Sequence, residues 1–303
     1  MNSKRKRFKN IPFHLMLLPA TLLAFIFYYI PMSGILMAFQ DYKSGRGFTG
    51  FFTSPFVGLK HYKYLFGLDS VWQILQNTVS ISLMKIILGI LVPIIVAILL
   101  NEVSSNWRRR SIQTCIYLPN FLSWVVLGGI LIDILSPGDG IVNRIIEFFG
   151  GQSVNFLSNE KIFPYTLVVS DIWQKFGFNT IVYIAAITGI DTTLYEAARM
   201  DGAGHIRQMW HITLPGMSSI IILMSLLSLG NLLNAGFDQV FNLINPAVYR
   251  TGEILDTYVY KLGLVDARYS VATAAGLIKS VISVVLISLS YWLAYKFADY
   301  RIF

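Results

Sequence analysis

Apolar residues along this chain gather into six long runs, near 13–40, 76–100, 112–135, 163–189, 217–242 and 270–297. Each approaches or exceeds the roughly 20 residues that a helix needs to cross a hydrocarbon core. Polar residues collect between the runs, so the pattern predicts an all-α membrane protein with six transmembrane helices. The first run starts like a signal peptide, behind Lys4, Arg5, Lys6, Arg7 and Lys9. It is too long for one, and no small-residue cleavage site precedes Asp41, so it is expected to stay as a span, bent or broken near Pro31. No repeat, low-complexity tract or linker divides the rest. Residues 1–12 read as a basic head and 13–303 as one membrane domain with a polar loop at 190–216.

Composition agrees: 55% of the 303 residues are hydrophobic and only 13% charged, against about 25% charged in soluble domains. With the N-terminus inside, the segments on that side carry 12 cations against five acids, the outer segments nine against eight, and the runs three of each. That asymmetry places both termini and the 190–216 loop in the cytoplasm of a plasma-membrane protein. It also accounts for the net charge of +8 without a nucleic-acid partner. The outer loops at 41–75 and 245–269 carry Trp72, Tyr249, Tyr258 and Tyr260, which serve as interfacial anchors, a docking surface or both.

The 190–216 loop is the most ordered polar segment between runs. Thr193-x-x-Glu196 is a capping-box pattern that should start a short helix over Leu194–Met200. Asp201 should end that helix, and Gly202 can take the positive φ of the residue after the cap. Ala203, Ile206, Met209 and Trp210 then fall at helical spacing before Pro215 halts the pattern. Small Ala197 and Ala198 let another surface approach the backbone, and Glu196 can cap the helix or pair with Arg199. From residue chemistry alone this is either a knob for a groove on another protein or an amphipathic helix joining two spans.

The spacing Glu196-Ala197-Ala198-x-x-Asp201-Gly202-Ala203, then Met209, Ile212, Leu214 and Pro215, resembles the coupling loop of binding-protein-dependent ABC importer permeases. The resemblance runs through Asn77-Thr78, Trp173, Gly177-Phe178-Asn179, Ala185-Ala186 and Gly189-Ile190-Asp191. It is closer to the oligosaccharide-type subgroup through Pro31-Met32-Ser33-Gly34, Phe39-Gln40-Asp41-Tyr42, Gly58-Leu59-Lys60 and 241–246. Met209 stands where the motif usually has Phe, and Ser219 where a second proline is common. The resemblance implies the type I ABC importer permease fold and docking of the loop on a cytoplasmic ATPase subunit. It further implies a second, similar permease subunit, two ATPase subunits and an extracellular solute-binding protein. ATP and Mg would sit on those partners, since this chain has no G-x-x-x-x-G-K-[ST] phosphate loop and binds no cofactor of its own. The implied mechanism is alternating access for a carbohydrate, an oligosaccharide by the subgroup motifs.

Six ionisable residues lie within the runs: Lys85, Asp133, Asp171, Lys175, Asp238 and Lys279. A central charge costs about 2.5–3.5 kcal/mol on insertion scales, so these should face protein or water. Asp171 and Lys175, four apart, fit a mutually satisfied pair on one helix face. Lys279 can snorkel, pair with an acid or line a cavity. Trp173, Asn179, Asn231, Asn234, Asp238 and Lys279 make up the candidate solute pathway, with Gln174, Gln239 and Asn242 nearby. Amides, carboxylates and aromatic faces suit sugars, and the same groups also bond between helices.

Other chemistries find no support. His14, His61, His205 and His211 lack metal-ligand spacing, and lone Cys115 rules out an intramolecular disulfide or thiolate cluster. No G-x-S-x-G or S-x-x-K pattern accompanies a plausible base. An ion-coupled secondary transporter would also bury charges, but it predicts internal repeats that are absent and leaves the capped loop without a partner.

Overall fold

The computed structural model describes residues 11–298, so positions 1–10 of the expected basic head, with Asp299 and Arg301, lie outside the described residues. The principal helices are α1 (Pro12–Phe39), α2 (Asp69–Asn101), α3 (Asn106–Phe121), α4 (Trp124–Ile134), α5 (Phe163–Thr188), α6 (Thr192–Met200), α7 (His205–Gly216), α8 (Ser218–Gly230), α9 (Phe237–Leu243) and α10 (Tyr269–Ala298). Among the described residues, β pairing is limited to one bridge between Gln40 and Phe56.

α1, α2 and α10 are long and apolar enough to cross a membrane unaided, and two bent pairs, α3 with α4 and α7 with α8, bring the number of candidate spans to five. α5 completes the six expected runs: its 26 residues reach about 39 Å at 1.5 Å per residue. Its middle is too polar to count on apolarity alone, because it carries Asp171, Gln174, Lys175 and Asn179.

Three of the runs are less regular than their apolar character predicts. The third turns through 103° between α3 and α4. Pro119 sits in a 3-10 turn there, and extended Ser123 starts α4 by accepting from the Val126 amide at 3.4 Å. The fifth bends by 58° after Gly216 and then loses helical form between Gly230 and Phe237. α1, by contrast, does not break at Pro31. A π turn at Phe25–Tyr29 precedes the proline and a 3-10 stretch at Ser33–Phe39 follows it. Pro31 has no N–H, and its ring crowds the carbonyl four residues back, so a wider preceding turn moves that carbonyl aside. Pro215 is handled alike: the π turn Met209–Thr213 lets α7 run past it to Gly216.

The chain forms two compact units, Met1–Gly67 with Val259–Leu277, and Leu68–Tyr258 with Ile278–Phe303. In the first, the loop after α1 is tied by Asp41 N–H to Pro55 O (3.0 Å), by Tyr42 N–H to Ser270 Oγ (2.9 Å) and by a Lys60–Asp41 ion pair (2.7 Å). The Lys60 hydrogen bond is the main reason that the Asp41 carboxyl titrates below its ordinary range.

In the second unit α2 and α5 form the central packed pair. One apolar cluster joins Ile81, Phe163, Leu167, Val168, Val240, Leu243 and Ile254, and another joins Ile94, Ala97, Tyr183, Ile187 and Met217. Asn77 Nδ2 donates to Arg250 O (2.9 Å) and Glu253 O (3.2 Å), while Thr78 Oγ1 accepts from the Leu255 amide (2.9 Å). These bonds attach the 249–255 segment to the start of α2. α5 meets α3 backbone to backbone at Gly177, where a Cβ would collide with the Ile116 carbonyl.

That contact is testable. Gly177→Ala is expected to destabilise the fold by about 1–3 kcal/mol or more, the usual cost of overpacking, seen as a lower melting temperature in detergent. Gly129→Ala, whose added methyl meets nothing within 4 Å, is the control. Equal melting of the two variants would contradict the close crossing.

Candidate functional site

The 190–216 loop folds as two helices with a sharp joint. Asp191 caps α6, its carboxylate accepting from the Thr193 amide at 2.9 Å. That bond holds the Asp191 carboxyl below the usual carboxylate range. The expected Thr193–Glu196 capping box is therefore not formed. Asp191 is an equally good cap two residues earlier, and it places Thr193 inside the first turn. Nor does an ion pair join Glu196 to Arg199 among the described residues.

The other end is as expected. Gly202 takes φ +75°, its amide donates to Arg199 O (3.0 Å), and the Ala203 amide donates to Ala198 O (2.8 Å). These are the paired bonds of a Schellman motif.

Two part-buried contacts and one exposed pair hold the loop to its neighbours. Tyr195 Oη lies 3.0 Å from Thr213 Oγ1, Gln208 Nε2 donates to Ala203 O (2.7 Å), and His205 Nδ1 is 2.9 Å from Glu102 Oε2 near the end of α2. The outer face is open: Glu196, Ala197, Asp201 and Gly202 are exposed, Ala198 and Ala203 half-buried. Met200 is 88% exposed, with Ile206 and Trp210 also bare. The helix is thus capped at both ends and leaves apolar and acidic side chains uncovered.

The second site is a cleft of about 200 Å³ between α2, α5, α8 and the 231–236 turn. Three of the expected pathway residues, Asn179, Asn231 and Asn234, line it, together with Ser82, Lys85, Asp171 and Lys175. Lys279 reaches it indirectly, donating to Asn234 Oδ1 (2.7 Å) and pairing with Asp256 (2.6 Å). Trp173 and Asp238 lie elsewhere. Trp173 borders an apolar groove with Leu131, Leu135 and Tyr165, and Asp238 is exposed on the first turn of α9. Gln174 is buried and donates to Leu122 O at the α3–α4 bend (3.0 Å). Asn242 Nδ2 donates to Asp238 O (2.7 Å), and Asp133 is exposed on α4.

A buried polar knot forms the floor of the cleft. Lys85, halfway along α2, donates to Ala235 O (2.6 Å) and to Gln239 Oε1, and its Nζ is 3.6 Å from Asp171 Oδ1. Gln239, fully buried, donates onward to Leu167 O (2.7 Å) and Ser170 Oγ (2.8 Å). Asp171 also accepts from Lys175 (2.7 Å), the pair that their spacing predicts. Gly236 makes the approach possible at φ +93°, where a Cβ would stand 3.1 Å from Lys85 Nζ. Sequence reasoning noted Lys85, Asp171 and Gln239 separately and did not join them. The available signal was that Lys85, the one charged residue of its apolar run, needs a partner at the same depth on another helix.

Comparison with known proteins identifies the family. Residues 89–299 match the family model described as "Binding-protein-dependent transport system inner membrane component". The polygalacturonan/rhamnogalacturonan transport system permease protein YteP of Bacillus subtilis (strain 168) is 42% identical, over 96% of this chain and 89% of its own. Protein LplB of the same organism is 39% identical, over 96% and 90%. The crystal structure of a bacterial ABC transporter involved in the import of the acidic polysaccharide alginate contains a chain that superposes with a TM-score of 0.89 at 33% identity, covering 98% of this chain and 99% of that one. A second structure of the alginate transporter, in complex with an alginate pentasaccharide-bound periplasmic protein, gives 0.88 at 34% identity, covering 97% of each chain. This chain belongs to the family of binding-protein-dependent transport system inner membrane components, as a permease subunit of an ABC importer.

Proposed function

We propose that the chain carries a carbohydrate, an oligosaccharide, inward across the bacterial plasma membrane by alternating access, powered through α6 by ATP hydrolysed on separate subunits. The observation that carries this reading is the α6 knob, capped at both ends and bare on its outer face. Its partners are a second, similar permease subunit, two cytoplasmic ATPase subunits that bind ATP and Mg, and an extracellular solute-binding protein. The alginate transporter captured with its sugar-bound periplasmic protein supports the last of these. The excess of cations in the cytoplasmic segments supports an orientation with both termini and α6 inside. Closure of the ATPases shifts α6 and α7, and the helices rock to open the cleft first outward and then inward. Asn179, Asn231 and Asn234 offer the amides that sugar hydroxyls need.

Crosslinkers placed at Ala197 or Met200 should capture an ATP-hydrolysing neighbour in native vesicles, and capture of none would sink the proposal. Glu196→Lys is expected to cut ATP-driven uptake about tenfold or more, the scale of an unpaired charge in an interface, with membrane insertion unchanged. Gly202→Val places a branched side chain at positive φ in open space, at a backbone cost of about 1–2 kcal/mol. Uptake should fall in that variant and persist with Gly202→Asn, which tolerates the same φ. Wild-type rates in both Glu196→Lys and Gly202→Val would count against docking at α6.

The Asp191 cap makes a pH prediction. Its folded pKa is depressed, so its contribution is complete above the unfolded value of about 3.9 and disappears as pH falls through the lower folded value. Hydrogen exchange across 192–196, corrected for intrinsic rate, should stay flat from neutral pH to about pH 4 and rise below it. Asp191→Ala should exchange faster than wild type above about pH 4, with the difference narrowing below it, and Asp191→Asn should lose the acid transition.

A further inference from the structure

Lys85 Nζ and Lys175 Nζ stand 3.6 and 2.7 Å from the same atom, Asp171 Oδ1. Among the described residues, Asp171 is the one carboxylate in the lining of the cleft, and it faces two ammonium groups. Lys279, which touches the cleft through Asn234, brings its own acid, Asp256, at 2.6 Å. The lining therefore carries a single positive charge in excess at membrane depth, where an uncompensated charge is costly.

The two lysines differ in what they have left to offer. Lys85 is 8% exposed and engaged with Ala235 O, Gln239 and Asp171. Lys175 is 44% exposed. Its ammonium has three donors, and the one bond described for it goes to Asp171.

Resting on the reading of the chain as a carbohydrate importer, we propose that the cleft receives an acidic sugar: a uronate carboxylate binds Lys175 Nζ while ring hydroxyls meet Asn179, Asn231 and Asn234. A carboxylate carries one negative charge, matching the excess. A sugar phosphate brings about −1.5 to −2 and overshoots it. Entry of the carboxylate leaves Lys85 with Asp171 and gives Lys175 a partner of its own, so each charge in the cleft is matched. A neutral sugar leaves the two lysines sharing one acid. Lys175 is thus the residue that separates acidic from neutral glycans.

The test uses the complete transporter, with its partner permease, ATPases and binding protein, in ATP-loaded proteoliposomes. Its probes are trigalacturonate and galactotriose, which share the galactose-type ring and differ in the carboxylate. Wild type should carry trigalacturonate in preference to galactotriose. In Lys175→Gln the ratio of trigalacturonate to galactotriose uptake should fall about tenfold, the scale of one hydrogen bond to a charged group. Lys175→Arg should restore the ratio to within about twofold, because it keeps the charge. The same binding protein serves all three permeases, so changes in the ratio report on the cleft.

A wild type that carries galactotriose as well as trigalacturonate, or a ratio unmoved by Lys175→Gln, overturns the acidic-sugar assignment and leaves sugar import standing. Stronger inhibition of trigalacturonate uptake by lactose 6-phosphate than by digalacturonate overturns the carboxylate in favour of a phosphate. Failure of the wild type to carry either sugar in an ATP-dependent way overturns the carbohydrate reading itself.

Discussion

A lysine ammonium bonded to an open backbone carbonyl fixes the middle of this protein. Within a bilayer every peptide group needs a partner, and a helix that stops halfway leaves carbonyls without one. Ala235 is at such a stop, and Lys85 Nζ supplies the missing donor at 2.6 Å. The ammonium brings its own charge, which Asp171 balances at 3.6 Å. Gln239 accepts from the same ammonium and passes the connection to Leu167 O and Ser170 Oγ. α2, α5 and α9 must therefore meet at one depth, and the gap that the stopped helix leaves beside them is the cleft. An apolar residue at Lys85 would remove the donor and leave the carbonyl, the carboxylate and the amide to find others, so the knot holds or fails as a unit.

The bent segments follow a second constraint, set by proline. A proline inside a helix normally kinks it. At Pro31 and Pro215 the preceding turn widens to π form, and the helix continues past the proline. The sharpest angle, 103° between α3 and α4, occurs instead where Ser123 leaves helical φ/ψ, at ψ 154°. At that bend two side chains take up backbone groups: Ser123 Oγ meets the Val126 amide, and Gln174 Nε2, from α5, meets Leu122 O. Polar side chains within apolar runs thus serve the bends as well as the cleft.

That division of labour explains what the sequence made legible. Six apolar runs and the loop between the fourth and fifth could be read directly, because burial in lipid demands length and apolarity, and both are one-dimensional. The end of α6 was equally clear, since Gly202 after Asp201 is a local signal with a local cause. Its start was misjudged by two residues because Asp191 and Thr193 are both good caps and only tertiary placement chooses between them. The break at 231–236 was hidden inside an apolar run, as its cause, Lys85, lies some 150 positions away. Trp173 and Asn179 stand six residues apart on α5, about 120° around the helix, and spacing alone does not say which face meets the apolar groove and which the polar cleft. Their separation depends on which neighbours α5 meets on each face.

The loop and the cleft are joined by a short run of packed residues. Tyr195 rests on Thr213 near the end of α7. Met217, fully buried at the 58° bend, packs with Ile94, Ala97, Tyr183 and Ile187 of α2 and α5. α8 then leads from that bend to Ser228 and Asn231 in the lining of the cleft. A push on α6 thus meets a close-packed joint, and interiors packed at crystal-like density pass on displacement because they cannot absorb it. At the far end of α8 the backbone leaves helical form and is held by Lys85, so displacement arriving there bears on hydrogen bonds as well as on apolar packing. The proposed coupling needs such a route, with the rigid handle at one end and the bonded helix break at the other.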